Sequence, residues 1–174
     1  MAKSLHDVFQ LARKMEMDGV KFYHDAAKKA ANPQAKRLFE SFALDEERHL
    51  KIVADLAKGK GVDVESMPMP AESIKTVFTE ADVKVDAAQQ ATADETKAIR
   101  IAMEMERESY RLYDDAARRG DSEDIKVIFK RLAQEENQHY AMLENTQEYL
   151  TDNRKWFLWN EWALLTGDMS SMGE

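Results

Sequence analysis

The chain has 174 residues, enough for one domain with a real core, and its 44% apolar and 33% charged content suits a helical protein with well-solvated outer faces. A net charge of −8 argues against nucleic acid or an anionic membrane as the main partner. Cysteine is absent, which excludes disulfides, thiolate zinc sites, iron–sulfur clusters and rubredoxin-type centres within these residues. No apolar core of signal-peptide length follows Met1 and no stretch approaches a membrane span, so a cytoplasmic protein is expected.

The elements read as follows in chain order. Ser4 with Asp7 three residues on resembles a capping box and opens a helix that runs to Ala31. Asn32-Pro33 stops it and starts a second, with Asn as N-cap and Pro at the first helical position, running to about Lys58 before Gly59 and Gly61. The stretch 59–91 is a long connection carrying Pro68 and Pro70 and one short amphipathic run from Ile74 to Phe78. Thr92 followed by Glu95 is a further capping box, opening a third helix to Arg119 and Gly120. Asp121 or Ser122 caps a fourth helix reaching about Leu150. A Trp-rich tail, 151–174, follows. Its segment Trp156-Phe157-Leu158-Trp159 reads as a short helix on its own bundle, or else as an oligomer contact or a docking patch for an electron donor.

The two halves repeat. Lys21-Phe22-Tyr23 matches Arg111-Leu112-Tyr113, and the same offset of 90 carries Glu16 onto Glu106, Phe39 onto Phe129, Glu46 onto Glu136 and His49 onto His139 without a gap. Hairpins 4–58 and 92–150 are therefore copies of one unit, and two such hairpins give an all-α four-helix bundle over residues 1–150. Almost loopless hairpins make their helices antiparallel neighbours. The long 59–91 crossover lets the third helix start at the opposite end, the ferritin-like arrangement. It also permits hairpin exchange between protomers, and a homodimer is expected.

Each helix places a glutamate in an otherwise apolar seam. Glu16 lies with Phe9, Ala12 and Tyr23; Glu46 and His49 with Phe39, Phe42 and Val53; Glu106 with Ile99, Ala102 and Tyr113; Glu136 and His139 with Phe129, Leu132 and Leu143. A buried carboxylate costs several kcal/mol, roughly, and four together repel. No Lys or Arg shares these seam positions, whereas two divalent cations would balance four glutamates. Glu and His one turn apart point the same way, so each of the second and fourth helices offers a carboxylate and an imidazole to one pair of metals.

Glu16 with Tyr23, Glu46-x-x-His49, Glu106 with Tyr113 and Glu136-x-x-His139 together resemble the rubrerythrin branch of the ferritin-like superfamily. The resemblance implies a di-iron centre ligated by Glu16, Glu46, His49, Glu106, Glu136 and His139, with Glu46 and Glu136 bridging. Manganese or a mixed pair fits the same donor types. It implies that Tyr23 and Tyr113 sit beside the site and hydrogen-bond its carboxylates in a catalytic role. It also implies oxidation of Fe(II) by hydrogen peroxide or dioxygen in oxidative-stress defence. Two departures stand out. Rubrerythrins proper carry a four-cysteine rubredoxin-like centre, so electrons here would come from an external donor such as a rubredoxin. They also use an extra glutamate three residues past the first on the third helix, where this chain has Ser109 and, at its symmetry mate, Gly19.

Other residues read more plainly. Tyr23 and Tyr113 also suit a core with satisfied hydroxyls. Asp45, Glu47, Arg48, Glu104 and Glu108 read as solvated-face residues, and His6 and His24 as surface histidines. Gly19 and Ser109 either allow close helix packing or leave space over the metals. The ten methionines read as core filler and tail rather than a copper site. Iron handling of the ferroxidase kind, or a non-catalytic metal-binding helical bundle, are the alternatives to a peroxidase.

Overall fold

A computed structural model describes residues 5–62 and 93–151. Ser4, Thr92, the run from Ile74 to Phe78 and residues 152–174 lie outside the described residues, and with them the expectations placed there.

Four helices are present among the described residues, and no strand. They are α1 (Leu5–Lys29), α2 (Pro33–Leu56), α3 (Ala93–Arg119) and α4 (Glu123–Thr151). None is long and apolar enough to cross a membrane. Their ends follow local chemistry. Asn32 Oδ1 accepts from the Ala35 N–H at 3.1 Å, and Pro33 takes the first helical position, where a missing N–H costs nothing. Gly59 ends α2 with a φ of 70°, its N–H donating to Leu56 O while the Lys60 N–H donates to Asp55 O, the paired bonds of a Schellman motif. Ser122, rather than Asp121, provides the α4 cap, with its Oγ accepting from the Ile125 N–H.

α1 packs along α2 and α3 along α4, and the hairpins meet at α1–α3 and α2–α4. Glu95 fixes how they meet. Its carboxylate is buried and accepts from the Asn32 N–H at 2.6 Å, which pins the start of α3 to the α1–α2 turn. α2 ends at the far end of the bundle, about 36 Å away at 1.5 Å per residue. α3 therefore begins at the end of the bundle opposite to the one where α2 stops.

The core divides into two clusters. One holds Tyr23, Phe39, Phe42, Ile99, Ala102 and Leu143. The other holds their repeat mates Tyr113, Phe129, Leu132, Phe9, Ala12 and Val53. The duplication thus survives as a pseudo-twofold in the packing. The polar centre sits between the two apolar plugs, where side chains at both ends keep water away.

Candidate metal centre

The six residues singled out by the repeat converge at mid-bundle. Glu16, Glu106, Glu136, His49 and His139 are each at most 2% exposed, and Glu46 is 5% exposed. Ligand-type atoms of Glu16, Glu46, His49 and Glu136 lie within 4.8 Å of one another, and so do those of Glu46, Glu106, Glu136 and His139. Glu46 and Glu136 belong to both groups. Glu136 turns Oε1 to His49 Nδ1 at 3.0 Å and Oε2 to His139 Nδ1 at 3.5 Å. Glu46 likewise turns Oε2 toward His49 and Oε1 toward His139.

Apart from ion-pair approaches within the cluster itself, these inward atoms lack partners. Glu16 Oε2, both Glu136 oxygens and Nδ1 of both histidines are buried without a hydrogen bond, even where another donor atom is close. A buried polar atom left unpaired costs about 1–3 kcal/mol, more when charged. Five of them aimed at one place is the arrangement expected of cation ligands. The outward atoms are satisfied. Tyr113 donates to Glu16 Oε1 and Tyr23 to Glu106 Oε1, each tyrosine reaching across to the opposite hairpin. Both hydroxyls fulfil the hydrogen-bonding expectation.

Without a cation the group is electrostatically frustrated. Burial, then the negative charges of Glu46 and Glu136, raise the Glu16 carboxyl far above the ordinary range. Burial and Glu136 do the same to Glu106. Burial opposes charge on His49, but the negative charge of Glu136 and the bond to Glu135 outweigh it and lift its pKa to about 10. His139 is raised likewise, against burial, by Glu106 and Asp45. Glu136, although buried, is held low by His49 and His139. The raised groups, Glu16, Glu106, His49 and His139, thus favour their protonated forms when no cation is bound.

Two residues depart from the sequence reading. Asp45 and Arg48 were expected on a solvated face, but Asp45 is 7% exposed and the Arg48 side chain 22%. Glu135, which the seam pattern did not single out, is fully buried. Glu135 meets His49 Nε2 at 2.8 Å, and Asp45 meets His139 Nε2 at 3.2 Å. Arg48 joins these carboxylates, with Nη2 2.8 Å from each, and Arg131 donates to Glu135 at 3.0 Å. Each histidine is therefore oriented by a carboxylate from the opposite hairpin, which fixes Nδ1 toward the centre. The repeat held the signal: Asp45 and Glu135 are 90 apart, each just before a seam glutamate. Glu47, Glu104 and Glu108 are exposed as expected, and His24 is a half-exposed partner of Glu47.

A cleft of about 480 Å³ between α1 and α3 leads to the centre. Glu46, Glu106 and Tyr23 form its buried end, Met15, Met105, Gly19 and Ser109 its walls, and Glu104 and Glu108 its exposed rim. Gly19 packs against the Glu46 side chain and also lines the cleft. A Cβ there would lie 3.0 Å from Glu46 Oε2, so the missing side chain admits the shared carboxylate, and it also keeps the cleft open.

The fold and site define an all-helical bundle with a buried carboxylate–histidine centre fit for metal. The chain belongs to the rubrerythrin family, whose model matches residues 7–147. No curated protein and no solved structure shows a significant match to it.

Proposed function

We propose that this protein is a di-iron oxidoreductase that reduces hydrogen peroxide or dioxygen, in the manner of a rubrerythrin-like peroxidase supplied by an external electron donor. Glu16, Glu46, His49 and Glu136 would hold one iron and Glu46, Glu106, Glu136 and His139 the other, Glu46 and Glu136 being common to both groups. The observation that carries this reading is the set of buried, unpartnered carboxylate and imidazole atoms converging on one centre. Imidazole and carboxylate donors suit iron or manganese, and four carboxylates balance two divalent ions.

Bound as Fe(II), the pair supplies the two electrons that, with two protons, take hydrogen peroxide to two waters. The chain's own residues prepare that step. Asp45 and Glu135 keep both imidazoles aimed inward, and Tyr113 and Tyr23 hold Glu16 and Glu106 by their outer oxygens. The two apolar plugs exclude bulk water, while the cleft past Gly19 and Ser109 admits a small oxidant. These residues hold no cysteine, so the electrons that restore Fe(II) would come from a donor centre outside them, a rubredoxin being the expected kind.

Ser109 favours a second reading. Where the extra family glutamate is replaced by serine, ligand switching has no carboxylate to use, and iron oxidation for storage or delivery becomes the alternative. The test is to load the metal-free protein with Fe(II), add peroxide anaerobically and follow the iron oxidation spectrum, with metal content measured on the same sample. The expected result is two irons per chain, oxidised much faster than free Fe(II) and in proportion to peroxide. Oxidation no faster than in buffer, or unchanged in Glu136→Ala, removes the reading. Sedimentation separates the two forms, because a monomer or dimer is incompatible with storage in a cage.

A further inference from the structure

Two methionines line the cleft by which the proposed oxidant would reach the centre. Met15 and Met105 are repeat mates, each one residue before a seam glutamate, and both line the cleft that ends at Glu46 and Glu106. Both are half-buried. Met17, two residues from Met15 on the same helix, is 50% exposed, whereas Met142 is buried in the core. Simple exposure to peroxide in bulk solution would therefore oxidise Met17 first, Met15 and Met105 later and Met142 last.

We propose that Met15 and Met105 are sites of reversible oxidation to methionine sulfoxide, written by peroxide delivered to the inner end of the cleft. The inference rests on the peroxide reading of the centre. The reaction is a two-electron oxygen transfer. A sulfur lone pair attacks one peroxide oxygen and an S–O bond forms. The O–O bond breaks, the departing hydroxide takes the proton from the new S–OH group, and water leaves. Sulfur is oxidised and peroxide reduced, with no further reagent. Thioether oxidation needs no acid–base partner, only peroxide held close, and a loaded centre at the inner end of the cleft would draw peroxide past both sulfurs, which an empty cleft would not. The product matters for access. A flexible apolar wall becomes polar and carries a hydrogen-bond acceptor at the mouth of the centre. Excess peroxide thus alters the passage that admits it, and methionine sulfoxide reductases restore it.

The test is peptide-mapping mass spectrometry of the full chain, metal-free and Fe(II)-loaded, after graded peroxide, with the iron oxidation trace recorded on the same samples. In the loaded protein Met15 and Met105 should gain oxygen several-fold faster than Met17, and in the metal-free protein the order should follow exposure, Met17 first. A Met15→Leu/Met105→Leu variant, close to isosteric, should leave Met17 oxidation in the loaded protein no slower. Rapid iron oxidation with Met17 still modified first overturns this proposal and leaves the peroxide reading intact. Iron oxidation no faster than in buffer overturns the peroxide reading and the proposal with it. Should the double variant not fold, the wild-type order of modification decides alone.

Discussion

At the scale of single residues, Gly19 shows how a small side chain can be functional by what it leaves out. Replacing a mid-helix glycine by alanine ordinarily gains about 1 kcal/mol of helix stability. Here the added methyl would lie 3.0 Å from Glu46 Oε2 and 3.3 Å from its Cδ, closer than such contacts normally run. In the metal-free protein a flexible carboxylate can shift by a few tenths of an ångström. With cations in place, Glu46, whose carboxylate belongs to both candidate ligand groups, would have no such freedom. Gly19→Ala is therefore expected to leave the denaturation midpoint of the metal-free protein unchanged or higher, while weakening cobalt(II) binding about tenfold, equivalent to ~1.4 kcal/mol. Denaturant titration and cobalt absorption on the same variant check both halves, and wild-type cobalt affinity would count against the role given to Gly19. Periodicity in the sequence marked Gly19 as a seam position. It could not say which side chain the glycine meets, because that neighbour belongs to α2.

At the scale of helices, α2 and α4 exchange supports. Each carries a ligand-type glutamate and histidine, and each lends the other an acid just ahead of that glutamate. The seam residues were legible because apolar spacing and the 90-residue repeat agree on them. Asp45, Arg48 and Glu135 were not, for a geometric reason. A residue next to a seam position lies about 100° round the helix, on a flank, and a flank is buried only if another helix covers it. That depends on how two hairpins dock. Glu135→Gln keeps shape and burial but removes the charge that supports His49. Metal affinity should fall roughly 10- to 100-fold, as for other outer partners of ligating histidines. Competition with a chelator of known affinity measures it, and a change below threefold would show that Glu135 serves packing alone. Glu95 was read only as the partner of a cap at Thr92, which lies outside the described residues; that its carboxylate also reaches the α1–α2 turn is a contact between hairpins that no local pattern announces. The Asn32 cap itself was legible, since Asn-Pro has one local meaning. Asn32→Ala should cost about 1 kcal/mol by the usual cap value, measured by denaturant unfolding of the metal-free protein, with metal affinity little changed because the cap is remote from the centre.

For the whole molecule, the bundle is built around charge that its own residues cannot balance, and the stability it gains from metal should grow with pH while the metal-free protein weakens. In the metal-free protein His49 is raised from its ordinary 6.5 to about 10, and His139 is raised as well. A group with a raised folded-state pKa contributes stability that is complete below its unfolded value and is lost as pH climbs through the folded one. Glu16 and Glu106, also raised, act in the same sense. Glu136, Asp45 and Glu135 are lowered, so their contributions are present above the ordinary carboxylate range and disappear only on acidification. Between pH 6.5 and 10 the raised groups therefore dominate, and the metal-free bundle should lose stability as pH rises. Metal ligands must shed those same protons, so binding releases protons and tightens with pH. A cation that binds only the folded chain stabilises it by RT ln(1 + [L]/Kd), which grows as Kd falls. Thermal unfolding with and without manganese(II), which avoids oxidation, should show the gap between the two midpoints widening as pH is raised above 6.5. A pH indicator in weak buffer should record protons appearing as metal is added. A gap that stays flat or narrows, with no proton released, would mean that the buried carboxylates and imidazoles keep their protons and that no cation replaces them.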